Sequence, residues 1–398
     1  MIEIIDKSKC SGCKACYNIC PVNCIDMVVD EEGFWYPKVD EDKCIQCGLC
    51  EKVCPELNIY EDDKHFVTPH TFAAWNKNDK IRRASSSGGI FTIIAEWIIS
   101  NEGVVFGAGY DENFNVVHKE IITENDLEEL RGSKYVQSDI GESYRRAKLH
   151  LKNNRLVLFT GTPCQIAGLY NYLDKDYPNL YTSDLVCHGV PSPKVFDKYK
   201  EYLEDKYGSK IKTISFRDKK HGWKTFSLST KFSNGKEYSK NLKEDPFLLG
   251  FLRNYYLRPS CYACLYSKIP RSADITLGDY WGVESRYPEL DNNMGVSLLL
   301  VNSEKGIFLL ESIKEGLEIY ESDLEHAIKH NPSIIKPVNK PKDRDKFFED
   351  FNNKEFTDVI KKYMSPPSFF EKQIIFAKRG INFARKKAKN ILSRDDKS

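Results

Sequence analysis

The sequence predicts an α+β fold in two unequal parts, a small cysteine-built N-terminal module and a larger mixed α/β domain. Three observations predict it. Nine of the thirteen cysteines fall before residue 55. The spacing of eight of those nine repeats, and from residue 81 onward apolar runs of strand length alternate with runs of helical period. A chain of 398 residues is long enough for the module plus one large or two medium domains, each with its own core.

The module comes first. Cys10, Cys13, Cys16 and Cys20, followed by Pro21, spell CxxCxxCxxxCP, and Cys44, Cys47, Cys50 and Cys54, followed by Pro55, spell it again. Three thiolates spaced by two residues wrap one corner of a 4Fe-4S cubane, and the fourth reaches over to the other cluster, as in bacterial two-cluster ferredoxins. The crossed assignment gives Cys10, Cys13, Cys16 and Cys54 to one cluster and Cys44, Cys47, Cys50 and Cys20 to the second. Zinc knuckles need two separated ligand pairs rather than two identical runs ending in Cys-Pro. Gly12 and Gly48 lie inside the loops, where the missing Cβ lets backbone N–H groups approach the sulfurs. Cys24 stands outside the eight-ligand pattern and reads as a small core residue behind the cluster. Between the runs, 27–39 reads as a hairpin. Cubanes move single electrons and bind no substrate, so the purpose of the chain lies in the residues beyond the module.

Composition removes several classes. The 59 basic and 58 acidic side chains leave a formal charge of +1, which gives no support to a nucleic-acid role. The start lacks a basic, apolar signal sequence, and the greasiest stretch, 90–99, carries Glu96 and is too short to span a bilayer. A cytoplasmic location is expected, where clustered cysteines mean metal or redox chemistry rather than disulfides.

Downstream, polar residues 61–80 read as a linker or the first edge of the next domain. Then come a helix over 89–100, strands over 104–110 and 116–122, a helix over 124–130 opened by Thr123, and a helix over 143–152. A buried strand over 156–160 precedes a helix over 163–173 that has Pro in its first turn. Further strands are predicted over 180–186, 211–216, 226–232, 275–277 and 296–301, with helices near 194–207, 246–254 and 304–316. The charged, Pro-bearing segment 336–398 reads as a peripheral helical tail. Its stretch 372–389 is a basic amphipathic helix that could rest on an anionic membrane or a protein, or pack on its own domain.

Three loops could hold a cofactor. Ser85, Ser86, Ser87, Gly88 and Gly89 precede a helix, where free N–H groups suit a phosphate or a flavin edge, although Ser and Gly there are also ordinary caps. Gly161, Thr162, Pro163 and Cys164 join a buried strand to a helix, the place where ligands of open α/β sheets gather. Residues 131–138 pack Arg131, Lys134, Tyr135 and Ser138 into one polar run. Cys164, Cys187, Cys261 and Cys264 could complete a site for zinc, a third cubane or a redox-active thiol pair. His188 and His221 are the candidate proton donors near pH 7.

Taken together, SSSGGIFT (85–92), GTPCQIAGL (161–169), DLVCHGVPSP (184–193), SFRDKKHGW (215–223), CYAC (261–264) and ADITLGDYWG (273–282) resemble the coenzyme F420 hydrogenase/dehydrogenase beta subunits, in a bacterial type with a fused ferredoxin module. The resemblance implies a mixed α/β flavin-binding domain. FAD would contact Ser86, Ser87, Gly88, Gly89, Lys134, Tyr135, Ser138 and Thr162, and Asp279 would orient flavin or cluster. Cys164, Cys187, Cys261 and Cys264 would hold a third 4Fe-4S cluster. The implied division is 1–60 ferredoxin-type, 61–80 linker, 81–155 and 156–335 the two parts of the oxidoreductase domain, and 336–398 the tail. The implied activity is electron transfer between clusters and FAD, with hydride exchange to a soluble carrier or substrate and with ferredoxin or a similar carrier as partner. The substrate is an unknown small molecule or glycan precursor, and coenzyme F420 itself is discounted. The alternatives are a non-catalytic electron-transfer subunit and an accessory protein of surface-polysaccharide synthesis.

Overall fold

Short runs of β-branched and aromatic residues build the centre of the molecule. In the computed structural model, which describes residues 1–60 and 64–366, they form one eight-stranded sheet. Its order is Leu317–Glu321, His65–Asn76, Ser297–Ser303, Ile275–Asp279, Leu180–Leu185, Val157–Thr160, Val104–Tyr110 and Val116–Ile121. The four strands from 275 to 110 in that order run parallel, and the outer pairs are antiparallel.

Both faces of the parallel part are covered, which is why Val104–Tyr110 and Val157–Thr160 are apolar without alternation. Val104, Phe106, Val157 and Phe159 face one core, with helices Ser143–Lys152 and Pro163–Leu173, while Val105 and Leu158 face the other, under helix Ile90–Ser100. Side chains of successive strand residues point to opposite faces, so neighbours serve different cores. A second lobe gathers the sheet Ile211–Asp218, Ser227–Phe232 and Glu237–Asn241 with helices Pro193–Tyr207 and Pro246–Leu252 around Phe196, Tyr199, Phe216 and Phe247.

Two sequence expectations change here. The segment 61–80 holds the strand His65–Asn76, which pairs on both sides and lies inside the sheet. Its buried Ala73 and Ala74 serve the cores on opposite faces, and His65, Thr68 and His70 hid the pattern. Nor is all of the tail peripheral. Helices Arg344–Asn353 and Phe356–Tyr363 bury Phe347, Phe348, Val359 and Tyr363 in the second lobe. The basic amphipathic stretch 372–389 lies outside the described residues. Strands Glu237–Asn241 and Leu317–Glu321 were not predicted.

The hairpin of the module pairs Ile25–Val29 with Trp35–Val39, as expected. Three arginines fix the module to the large domain. Arg344 makes a two-pronged ion pair with Glu32 at 2.7 and 2.5 Å. Arg145 donates to the carbonyls of Tyr17, Asn18 and Cys20. Arg258 donates to the carbonyls of Cys10 (2.6 Å) and Trp35 (2.9 Å). Lys14, almost fully buried, pairs with Asp139 at 2.5 Å.

Candidate functional site

The cysteines of the chain line three separate cavities. Cys10, Cys13, Cys16 and Cys54 line the first, with Gly12, Ser11 and Glu56. Cys20, Cys44, Cys47 and Cys50 line the second, together with Cys24. The Cys24 thiol is buried and lies 3.4 Å from Cys20 Sγ, so it belongs to the wall of that cavity as well as to the core behind it. Cys164, Cys187, Cys261 and Cys264, which sit on distant segments of the chain, line the third. Burial pushes the thiols of Cys13, Cys164 and Cys187 far up and that of Cys261 up to about 12, with neighbouring sulfurs adding to the rise. Bare thiols so placed stay protonated and inert, whereas metal coordination deprotonates them outright. Among the described residues, no three His, Cys, Asp or Glu converge closely enough to grip a single ion. A tetrahedral zinc–thiolate site would bring sulfurs to within about 3.8 Å of one another.

The cavities adjoin in series. Ser11 and Glu56 line both the first and the third, and Cys187, His188, Gly189 and Val190 line both the third and a fourth, much larger one.

That fourth cavity has a volume of about 640 Å³, within the usual range for a small-molecule or cofactor site. It opens at the carboxyl ends of the parallel strands, through Ala108, Thr160 to Thr162, Leu185 to Cys187 and Leu277 to Asp279. Open α/β sheets bind ligands there because the strand ends and helix N-termini leave backbone groups free. Helix Ile90–Ser100 begins at its wall with Gly89 at φ +86°, and no side chain caps the first turn. Helix Pro163–Leu173 begins opposite, where Thr162 and Gln165 form a capping box.

A determinate hydrogen-bond chain lines one side. His118 Nε2 faces the Thr160 carbonyl at 2.9 Å, an acceptor only, so Nε2 carries the proton and Nδ1 accepts from the Ser138 hydroxyl at 2.8 Å. Gln165 Nε2 donates to Ser138 Oγ, and the Thr162 N–H donates to Gln165 Oε1. Burial pulls His118 down to about 4, so the ring is neutral at pH 7. On the other side Arg217 donates to both oxygens of Asp279 at 2.7 and 2.9 Å, to the Tyr135 hydroxyl and to the Ser86 carbonyl. Trp223 Nε1 donates to Asp279 at 2.6 Å. Arg217 Nε is buried without a partner in the wall of the cavity. Lys134 donates to the carbonyls of Leu130, Arg131 and Gly132, and burial pulls it down to about 7.

Most sequence candidates meet at this cavity: Ser86, Ser87, Gly89, Lys134, Tyr135, Ser138, Thr162, His188 and Asp279 all line it. Gly88 does not. It turns to the sheet, where its N–H donates to Ser297 Oγ and a Cβ would collide with the Ala74 carbonyl. His188 sits between the third and fourth cavities with Nε2 at 2.6 Å from Asn254 Oδ1. His221 is exposed and lines none of these cavities, because the turn at Gly222 carries it outward while Trp223 turns in. Sequence reasoning missed Arg217, His118 and Gln165. Arg217 and Gln165 lay inside quoted segments, but nothing local marks His118, whose partners come from strand Val157–Thr160 and from the loop that carries Ser138.

Residues 154–327 match the family model for the carboxy-terminal part of the coenzyme F420 hydrogenase/dehydrogenase beta subunit. Residues 9–57 match a 4Fe-4S dicluster domain and residues 39–86 a 4Fe-4S single cluster domain of Ferredoxin I. The chain is similar to the coenzyme F420 hydrogenase/dehydrogenase beta subunit family over residues 154–327, 174 of its 398 residues. The region similar to the beta subunit lies behind a 4Fe-4S module, so the chain is an iron–sulfur protein related to an oxidoreductase subunit. A chain of the xenon-derivatised F420-reducing [NiFe] hydrogenase complex from Methanosarcina barkeri is similar at 19% identity, with a TM-score of 0.45, over 71% of this chain and 99% of its own. No curated protein matches the chain. Among the described residues, no helix is long and apolar enough to cross a membrane.

Proposed function

We propose that this chain is an iron–sulfur flavoprotein oxidoreductase that exchanges electrons with a carrier protein at one end and hydride with a soluble substrate at the other. The observation that carries this reading is the series of shared walls, from thiol cavity to thiol cavity to the large one. When bound, cubanes supply one-electron exchange and FAD supplies the two-electron hydride chemistry that cubanes lack.

The chain's own residues divide the work. Cys10, Cys13, Cys16 and Cys54 would hold the first cluster, Cys20, Cys44, Cys47 and Cys50 the second, and Cys164, Cys187, Cys261 and Cys264 a third. Ser86, Ser87 and Gly89, at the uncapped helix start, would take an anionic or carbonyl edge of FAD. Gly88 would pin that loop to the sheet. Lys134, Tyr135, Ser138 and Thr162 would line the cofactor, with Arg217 held in place by Asp279. His188 donates Nε2–H to Asn254, which leaves Nδ1 to hold or release a proton between the third and fourth cavities. At the far end Cys47, Ile45 and Gln46 are exposed, which suits contact with a ferredoxin-like carrier. Residues 1–60 would form the ferredoxin-type module, and 81–155 with 156–335 the oxidoreductase domain.

Anaerobic purification with metal and flavin analysis tests the reading. About twelve irons and one FAD per chain are expected from three cubanes. About eight irons with one zinc would reduce the third thiol group to a structural site, and absence of flavin would overturn the proposal. Similarity of residues 154–327 to part of a hydrogenase/dehydrogenase subunit favours a second reading, an electron-transfer subunit without turnover of its own. Hydride exchange by the isolated, fully loaded chain separates the two.

A further inference from the structure

Arg258 is fully buried at the junction of the module and the large domain. Its guanidinium donates to the Cys10 carbonyl (2.6 Å), to Gln137 Oε1 (3.1 Å), to the Trp35 carbonyl (2.9 Å) and to Cys10 Sγ (3.4 Å). It lies 4.3 Å from the Tyr36 ring and 5.4 Å from that of Phe34. Among the described residues, no carboxylate forms an ion pair with it. Glu56 is close enough to feel its charge but does not pair with it. Other buried arginines fare differently. Arg217 faces Asp279, Arg271 faces Asp184 and Arg344 faces Glu32, while Arg82, also without an ion pair, has Asp79 one turn away along its helix.

A guanidinium removed from water without an anion is costly. Every partner of Arg258 is neutral except one that becomes anionic when it ligates iron, the Cys10 sulfur. The other two thiol groups receive only neutral donors. Cys20 Sγ accepts from the Cys24 N–H, Cys261 Sγ from the Val190 N–H, and Cys164 contacts the Thr162 hydroxyl. Arg145, near the second group, spends its hydrogen bonds on carbonyls and on Asn23 and Glu142.

We propose that Arg258 is the built-in counter-ion of the first cluster and raises its reduction potential, making that site the place where an electron rests. The inference builds on the cluster assignment above. Reduction adds one negative charge to a cubane, so a fixed cation in contact with a ligating sulfur, in a poorly screened interior, stabilises the reduced form more than the oxidised one. Hydrogen bonds to cluster sulfurs act in the same direction.

The test is an EPR-monitored redox titration of the anaerobically purified full chain beside Arg258→Gln and Arg258→Lys. Arg258→Gln should leave the second cluster's midpoint in place, lower the third's slightly because Cys261 also lies in this guanidinium's field, and lower most the midpoint of the first cluster. At a fixed potential the reduced fraction of that cluster should fall about tenfold relative to the oxidised, equivalent to about 59 mV for one electron. Arg258→Lys keeps the charge and should restore most of the shift. If Arg258→Gln loses four irons while Arg258→Lys retains them, the counter-ion role stands. Equal midpoints in wild type and Arg258→Gln at full iron content would overturn it, as would identical behaviour or identical iron loss in the Gln and Lys variants. A wild-type chain without iron would instead sink the cluster assignment itself.

Discussion

His118 shows how burial decides chemistry at the level of one side chain. Its ring is stacked on Phe159 and hydrogen-bonded at both nitrogens, and its pKa falls to about 4 from an ordinary value near 6.5. The unfolded chain therefore binds a proton between those two values that the folded chain refuses. Stability contributed by the neutral ring is complete above about pH 6.5 and is lost as pH falls toward 4. The expected NMR outcome is a neutral Nε2–H tautomer that does not titrate between pH 8 and 5; a midpoint near 6.5 would show that the network does not form. Asp245 carries the opposite sign. Burial lifts it to about 6 even though Tyr199, Tyr238 and the Leu248 N–H all donate to it. The folded state holds a proton that the unfolded state has lost between about 4 and 6, so this group's contribution declines as pH rises through that window and is flat above it. Comparing unfolding free energies of wild type and Asp245→Asn across that range should isolate a difference of about 3 kcal/mol, at 1.36 kcal/mol per pKa unit. Neither residue is marked in the sequence, since each owes its behaviour to partners far along the chain or to enclosure by the fold. The eight module cysteines are the reverse case, because their proposed ligand role rests on local spacing alone.

At the scale of single elements, the strand-to-helix turn at Thr160 to Gln165 does two jobs. Gln165 closes the capping box of its helix and reaches back to Ser138 in the cavity wall. Gln165→Leu should cost about 0.5–2 kcal/mol in a denaturant melt through the lost cap, and should also speed release of bound flavin, read by fluorescence. Unchanged flavin release with the expected melt would confine Gln165 to a capping role. Elements with a clear period were legible: helices Ile90–Ser100 and Pro163–Leu173 and the buried strands Val104–Tyr110 and Val157–Thr160 lie close to where apolar repetition put them. Strand His65–Asn76 was not, since its polar residues read as a loop and only pairing with Ser297–Ser303 and Leu317–Glu321 makes it a strand. Helix Arg344–Asn353 was hidden by its charges. Phe347, Phe348 and Phe351 find their core only when the second lobe is assembled.

Across the whole molecule, the module is held by buried charge pairs as much as by apolar contact. Arg344 is almost fully buried, and Glu32 is its carboxylate. Glu32→Gln removes the anion and leaves the guanidinium enclosed, which should destabilise the chain by about 3–5 kcal/mol in guanidinium unfolding. The double variant with Arg344→Met should recover a large part of that loss, and no recovery would show that the pair does not carry the effect. The two-part architecture was legible from cysteine repetition followed by alternating strand and helix. The large cavity was legible only as three separate loops, since their convergence depends on strand order, which no local pattern encodes.

The second thiol group has one further consequence. Cys47 lies open to solvent, whereas Cys13 is sealed against the large domain and Cys54 is buried within the module. Corrosion should therefore proceed from the tip inward. On exposure to air with a ferrous chelator, the outermost third of the iron should leave first and quickly, and the remainder should outlast it for as long as the two halves stay joined.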